Sequence, residues 1–275
     1  MPLTPSLRPL AWTRVGFGLV ALLRTTPLVH LFDPTLSGEA SVLLGWPQEG
    51  ALRLAASGLT LPTDVVKVLC VVRTVAIVAF LVGLFPRATG LAASFTGYAV
   101  VLQSAFGFTF TQHLMFVGLA VLALVDCNTV VSVRPSPARS PRSSLWLCWA
   151  FTTSIYAWAA VAKLRRDWFD GRTLGLFYEE GKLRGPLAAF LLDDPSRRAG
   201  AATLTVLSEL ALVPLLLWPR TRFPAFLAAC GFHLTLEAVA RPDVFGWCMI
   251  ALLLSFVPLP EDAVPGRSAR EALPL

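Results

Sequence analysis

Eight apolar runs, each close to the length needed to cross a bilayer, constrain this chain more than any other feature. A helix needs about 20 mostly apolar residues to span the hydrocarbon. Such runs occupy residues 10–31, 65–85, 88–106, 113–133, 144–164, 199–218, 223–240 and 244–258. Lipid offers backbone N–H and C=O groups no partner, so each run is expected to be helical. The runs are continuously apolar rather than alternating, which excludes a closed β-barrel. The last is short enough to be tilted or partly re-entrant. The expected fold class is all-α: a polytopic membrane helix bundle of about eight transmembrane helices, with amphipathic segments on its outer face. Residues 1–260 read as one transmembrane domain and residues 261–275 as a short polar C-terminal tail.

Breakers fall between the runs. Phe85-Pro86-Arg87, Trp218-Pro219-Arg220, Phe223-Pro224 and Arg241-Pro242-Asp243 each mark a turn, and residues 134–143, with Pro135, Pro137 and Pro141, read as an extended connector. The first run carries Arg14 and Arg24 and has no small-residue cleavage site, so it reads as mature structure rather than a signal peptide. No internal repeat supports an inverted-repeat transporter.

Only 15% of residues are charged, against roughly a quarter in soluble domains. That excludes disorder, a basic nucleic-acid-binding domain and most soluble enzymes. The net charge of +6 is explained by loop arginines that orient the bundle. With the N-terminus inside, the inner loops hold Arg8, Arg87, Arg134, Arg139, Arg142, Arg220, Arg222, Arg267 and Arg270. Both termini are then expected to be cytoplasmic, in a bacterial inner membrane. The long segment 165–198 is expected outside; its seven basic residues are nearly balanced by six acids. Within it residues 174–192, and elsewhere residues 42–59, are expected to lie on or dip into the outer membrane face. Cys70, Cys127, Cys148, Cys230 and Cys248 form no CxxC pair and suggest neither a disulfide framework nor a zinc site, so no metal is expected.

Ionisable residues at membrane depth are costly and are functional candidates by default. Here they are Arg24, Arg73, His113, Asp126 beside Asn128, Lys163, Glu209, His233, Glu237 and Arg241. His233, Glu237 and Arg241 are spaced i, i+4, i+8 and share one helical stripe. That stripe suits either proton handling or a structural His–Glu hydrogen bond with a snorkelling arginine. Glu209 and Arg73 are candidates to neutralise one another across helices. Lys163 ends its span and precedes Arg165 and Arg166. It reads either as a snorkelling cation or as a base, its amine made neutral by poor solvation and neighbouring cations.

The segment Ala160-Val161-Ala162-Lys163-Leu164-Arg165-Arg166-Asp167-Trp168-Phe169-Asp170-Gly171 resembles a block of vitamin K-dependent γ-glutamyl carboxylases and of the wider bacterial HTTM family. His113 with Leu122-Ala123-Leu124-Val125-Asp126-Cys127-Asn128 is similar to a second block, and Phe232-His233-Leu234 with Phe245-Gly246-Trp247-Cys248-Met249 to a third. The resemblance covers nearly the whole chain. It implies that Lys163 is a catalytic base that deprotonates a lipid quinol, reduced vitamin K or a relative, for oxygenation, with His113 and His233 as further catalytic candidates. Asp126, Asn128, Trp168, Glu209 and Glu237 are the candidate substrate contacts. Two departures are visible: Ala162 replaces the first of the family's paired lysines, and Glu237 adds a charge after the late histidine. An alternative expectation is a non-catalytic membrane partner in the maturation, export or self-protection of a secreted peptide, or beside a thiol oxidoreductase.

Overall fold

A computed structural model of the chain describes residues 8–25, 61–102, 110–128, 131–135, 141–239 and 244–257. Residues 42–59, Arg241 and the tail at 261–275 lie outside them, as do parts of the expected spans and of the connector at 134–143. The described residues form helices and no β-strand. Eight helices match the eight apolar runs in order: α1 (Arg8–Thr25), α2 (Thr63–Leu81), α3 (Pro86–Leu102), α4 (Phe110–Leu124), α5 (Pro141–Lys163), α9 (Pro195–Leu217), α10 (Arg222–Val239) and α11 (Phe245–Leu253). Three short helices bridge α5 and α9: α6 (Arg166–Phe169), α7 (Arg172–Glu179) and α8 (Pro186–Leu192). A 3-10 turn, Leu254–Phe256, follows α11.

By length and composition, two of the described helices are able to cross a membrane, over Arg142–Lys163 and Pro195–Leu217; Phe110–Leu124 and Phe245–Phe256 are shorter apolar helices. The others are shortened or carry charges, as α2 does with Asp64, Lys67 and Arg73. Helix α2 shows how the side chains divide between its two faces. On α2, Val68, Val71 and Val75 point outward, 60%, 63% and 63% exposed, while Arg73, Ile77 and Phe80 are buried on the opposite face. Large apolar side chains facing outward around a core that holds charges reverse the pattern of a soluble helix.

α2 packs on α3, α3 on α4, and α1 on α2 and α11; α5 pairs with α9, and α10 packs on α9 and α11. Leu10, Phe17, Ile77, Phe80, Phe116, Leu119, Tyr156, Leu216 and Met249 belong to one buried cluster to which all eight of these helices contribute. Glycines set the close approaches. The Phe116 ring lies against Gly97 so tightly that an added Cβ would fall 2.0 Å from it, and the Phe17 ring meets Gly118 in the same way, at 2.3 Å.

The fourth expected span was drawn to residue 133, but α4 ends at Leu124. The cause is a polar knot. Arg14, on α1 and fully buried, donates from Nη1 to Cys127 O (3.1 Å) and Asn128 Oδ1 (3.0 Å), and from Nη2 to Val131 O. Asn128 Nδ2 donates to Arg134 O (2.6 Å), Ser132 Oγ donates to Gly83 O (2.9 Å), and Arg87 pairs with Asp126 (3.2 Å). The backbone N–H of Asp126 donates to Ser144 Oγ (3.0 Å). A buried guanidinium needs acceptors, and carbonyls freed at the end of α4 supply them. The knot thus ties α1, the α2–α3 turn, the end of α4 and the start of α5 together. Gly83, at φ 77°, fits there because a Cβ would collide with Ser132, Arg14 and Asn128.

Gly97→Ala is expected to lower stability by about 1–3 kcal/mol through overpacking, and Phe116→Leu in the same chain to recover part of it. Thermal unfolding in detergent checks both. Arg14→Met is expected to cost about 1–3 kcal/mol by stranding buried acceptors, with Asn128→Ala adding less than its separate effect because the two share one network.

Candidate functional site

Lys163 is the last residue of α5, and its amine turns back toward the neighbouring helix rather than outward. Nζ donates to Glu209 Oε1 at 2.7 Å, to Oε2 at 2.8 Å and to Ala159 O at 3.2 Å. Glu209 stands mid-way along α9, its side chain 6% exposed, and that of Lys163 is 20% exposed. All three ammonium protons are therefore used. The nearest charge to the amine is a carboxylate, so the cationic surroundings expected from Arg165 and Arg166 give way to an ion pair. Arg165 donates its Nε to Ala162 O instead (3.1 Å).

The expected Arg73–Glu209 pair does not form. Arg73, on α2, donates to Thr25 O at 2.9 Å, at the C-terminal end of α1, where helix carbonyls carry partial negative charge. Lys163 rather than Arg73 is the counter-charge because α9 packs on α5.

Beyond Lys163 the chain folds over the pair. Trp168 Nε1 donates to Ala202 O of α9 at 3.0 Å, and its ring lies 5.3 Å from Lys163 Nζ. Gly171, at φ 74°, ends this turn where a Cβ would press on the Ala199 backbone, and Gly175 of α7 touches the Arg198 guanidinium. The apolar stretch at 174–192 is divided between α7 and α8 at Gly181, Gly185 and Pro186, where its breakers lie. These helices share a small core of Ala188, Leu192, Leu174 and Tyr178 with Val239 of α10. Arg184 N donates to Val239 O at 2.7 Å. A hydrogen bond to the Asp193 carboxylate pushes the Tyr178 phenol above its ordinary range. The D-W-x-x-G block is thus a strap holding a cover on the α5–α9 pair.

His233, on α10, is 1% exposed, and its Nε2 lies 2.7 Å from Tyr156 Oη of α5. Tyr156 precedes Lys163 by seven residues, two helical turns along the same face. No His233–Glu237 hydrogen bond accompanies the i, i+4 spacing. Glu237 Oε1 accepts from Gly246 N at 2.7 Å, in the first turn of α11, where a carboxylate suits the positive end of the helix.

The remaining candidates lie elsewhere. His113 is exposed, at the start of α4, its Nδ1 2.5 Å from Tyr98 Oη; nothing joins it to Lys163 among the described residues. Asp126 and Asn128 belong to the Arg14 knot. Ser144, which bonds Asp126, and Lys163 are nineteen residues apart in α5, about 28 Å at 1.5 Å per residue. The structure therefore brings together Lys163, Glu209 and Trp168, sets Tyr156 and His233 on the same side of α5, and leaves Asp126 and Asn128 at the far end. Tyr156 was not singled out from sequence, because an aromatic in an apolar helix reads as core; its spacing from Lys163 was the available signal. Among the described residues no group of three His, Cys, Asp or Glu side chains is gathered to hold a metal, and none of the five cysteines is in a disulfide.

No curated protein and no solved structure matches the chain. One family model does: the HTTM domain, over residues 7–259, a membrane-associated family related to the transmembrane part of vitamin K-dependent carboxylases. The match includes the lysine, tryptophan and glycine of the strap and covers nearly the whole chain, and the protein belongs to the HTTM family.

Proposed function

We propose that this chain is a multi-pass protein of a bacterial inner membrane, with both termini cytoplasmic, and that its Lys163–Glu209 pair takes a proton from a lipid quinol at the outer side of the bundle. The observation that carries this reading is the two-point contact at 2.7 and 2.8 Å between a lysine and a carboxylate that are both largely shielded from solvent. A buried ion pair and its neutral form, amine beside carboxylic acid, both have zero net charge. Shifting the proton from Nζ to a Glu209 oxygen therefore needs little reorganisation in a poorly solvated site. Lys163 then holds a lone pair able to accept a phenolic proton, and Glu209 stores the first one. Arginine in its place would remain charged.

The residues fit an aromatic ring bearing oxygens. The pair supplies a proton acceptor, the Trp168 ring lies 5.3 Å from its amine, and a second buried group, His233, has a nitrogen with no partner among the described residues. When bound, reduced vitamin K or another quinol supplies an acidic hydroxyl and the electrons for oxygen chemistry.

A second reading has its own observation. Every proton of the Lys163 ammonium is already bonded, as in an ion pair that only fixes α5 against α9. The protein then acts as a non-catalytic partner, for a secreted peptide or a thiol oxidoreductase. The double variant Lys163→Met with Glu209→Leu separates the two. Replacing both members of a buried pair with apolar groups is often close to neutral for stability, whereas removing one costs about 3–5 kcal/mol. In lipid nanodiscs with reduced vitamin K and oxygen, the wild type is expected to form an oxidised product and the folded double variant none. Glu209→Gln is expected to lower the rate by about 10²–10⁴-fold. Full biological function in the double variant, or no turnover by the wild type, selects the partner reading.

A further inference from the structure

His233 Nδ1 is buried and makes no hydrogen bond, in a side chain that is 1% exposed. Around the imidazole stand the rings of Phe232 and Phe245, edge-on at 5.3 and 5.7 Å, and Tyr156, whose hydroxyl meets Nε2 at 2.7 Å. No carboxylate bonds the ring, and a buried cation without a counter-charge is costly, so the imidazole is neutral, with one N–H and one lone pair.

Two proton arrangements satisfy the Tyr156–His233 contact. If Nε2 donates to Tyr156 Oη, the phenolic O–H is left without an acceptor and the Nδ1 lone pair is unused. Tyr156 is itself 2% exposed, and among the described residues its hydroxyl bonds only His233. If instead Tyr156 Oη–H donates to Nε2, the phenol is satisfied and a single group, Nδ1–H, remains unspent. The second arrangement leaves fewer buried polar groups unpaired and is the favoured one.

We propose that Tyr156 fixes His233 in the Nδ1–H tautomer, so that Nδ1–H is a preset donor for an acceptor oxygen on a flat apolar ring docked against Phe232 and Phe245. The ligand class is a ring carbonyl. Tyr156 acts as a positioning residue: it need not touch the ligand, but it decides which nitrogen carries the proton. The choice of a quinone as probe rests on the proposed quinol chemistry; the tautomer assignment does not.

The test uses the full chain in lipid nanodiscs, labelled with ¹⁵N-histidine. The protein has three histidines, His30, His113 and His233, so a His233→Gln variant assigns the resonances. The wild type is expected to show a protonated Nδ1 and an unprotonated Nε2 at His233. Adding 2-methyl-1,4-naphthoquinone is expected to shift the Nδ1 resonance, and 2-methylnaphthalene, the same ring system without oxygens, to leave it unchanged. Tyr156→Phe is expected to move the proton to Nε2 and weaken quinone binding about tenfold, the loss of one well-placed hydrogen bond. A protonated Nε2 in the wild type overturns the tautomer assignment, whether or not Tyr156→Phe folds. Quinone that fails to bind, or binds without moving His233, overturns the carbonyl site. Turnover is not read, so failure here leaves Lys163-dependent chemistry standing, and a shifted Nδ1 without turnover leaves a binding site that lacks that chemistry.

Discussion

Lys163 and Glu209 stand 46 residues apart on antiparallel neighbours, and neither can leave the other without stranding a charge among apolar side chains. Much of the local structure answers to that constraint. Helix α5 must end where its last residue can turn back, α9 must pass close enough to present a carboxylate, and the chain between them must cover the pair. Trp168 on the Ala202 carbonyl, Gly171 against the Ala199 backbone and Gly175 against the Arg198 guanidinium are the contacts that achieve this. The lysine motif is therefore a description of a fold-back as much as of a reactive amine.

A second set of buried charges holds the opposite end. Arg14 gathers the end of α4 and the α2–α3 turn, while Arg87 and Ser144 take up Asp126. Between these two polar layers the contacts are apolar and close, with the Phe116 and Phe17 rings laid on glycines. Without a hydrophobic drive between helices in lipid, such close approaches and interior hydrogen bonds are what hold helices together. The two layers also differ in kind. In the Arg14 knot the charge is spread over several backbone carbonyls and fixed side chains, whereas Lys163 faces a single carboxylate.

The all-α class and the order of the helices among the described residues were legible, because long apolar runs favour helices; two of those helices have the length and composition to cross a membrane. Boundaries were less so. Nothing in Val125-Asp126-Cys127-Asn128 says that the helix stops before it; the stop is imposed by Arg14, 113 residues away from Cys127. The site was legible in part. Lys163 and Trp168 carry a specific motif, but the choice between Arg73 and Lys163 as partner to Glu209 depends on which helices touch, and composition is silent on that. The His233–Glu237 spacing was real, yet two groups on one stripe need not face each other: Glu237 reaches along to cap α11, and His233 turns to Tyr156. Asp126 and Asn128 looked like site residues because they are polar residues within an apolar run, a property that serves a structural knot equally well.

A lysine whose protons are all bonded is a poor base as it stands, and this gives the carboxylate its importance. A base beside flanking arginines would depend on cationic repulsion to lose its proton, and that repulsion is screened at an exposed helix end. A base beside Glu209 has a defined acceptor at 2.7 Å, in a site where charge separation is disfavoured by burial. The strap is what sets the position of the pair. Trp168, 5.3 Å from the amine and tied to α9 through the Ala202 carbonyl, fixes where the ring sits relative to both members of the pair.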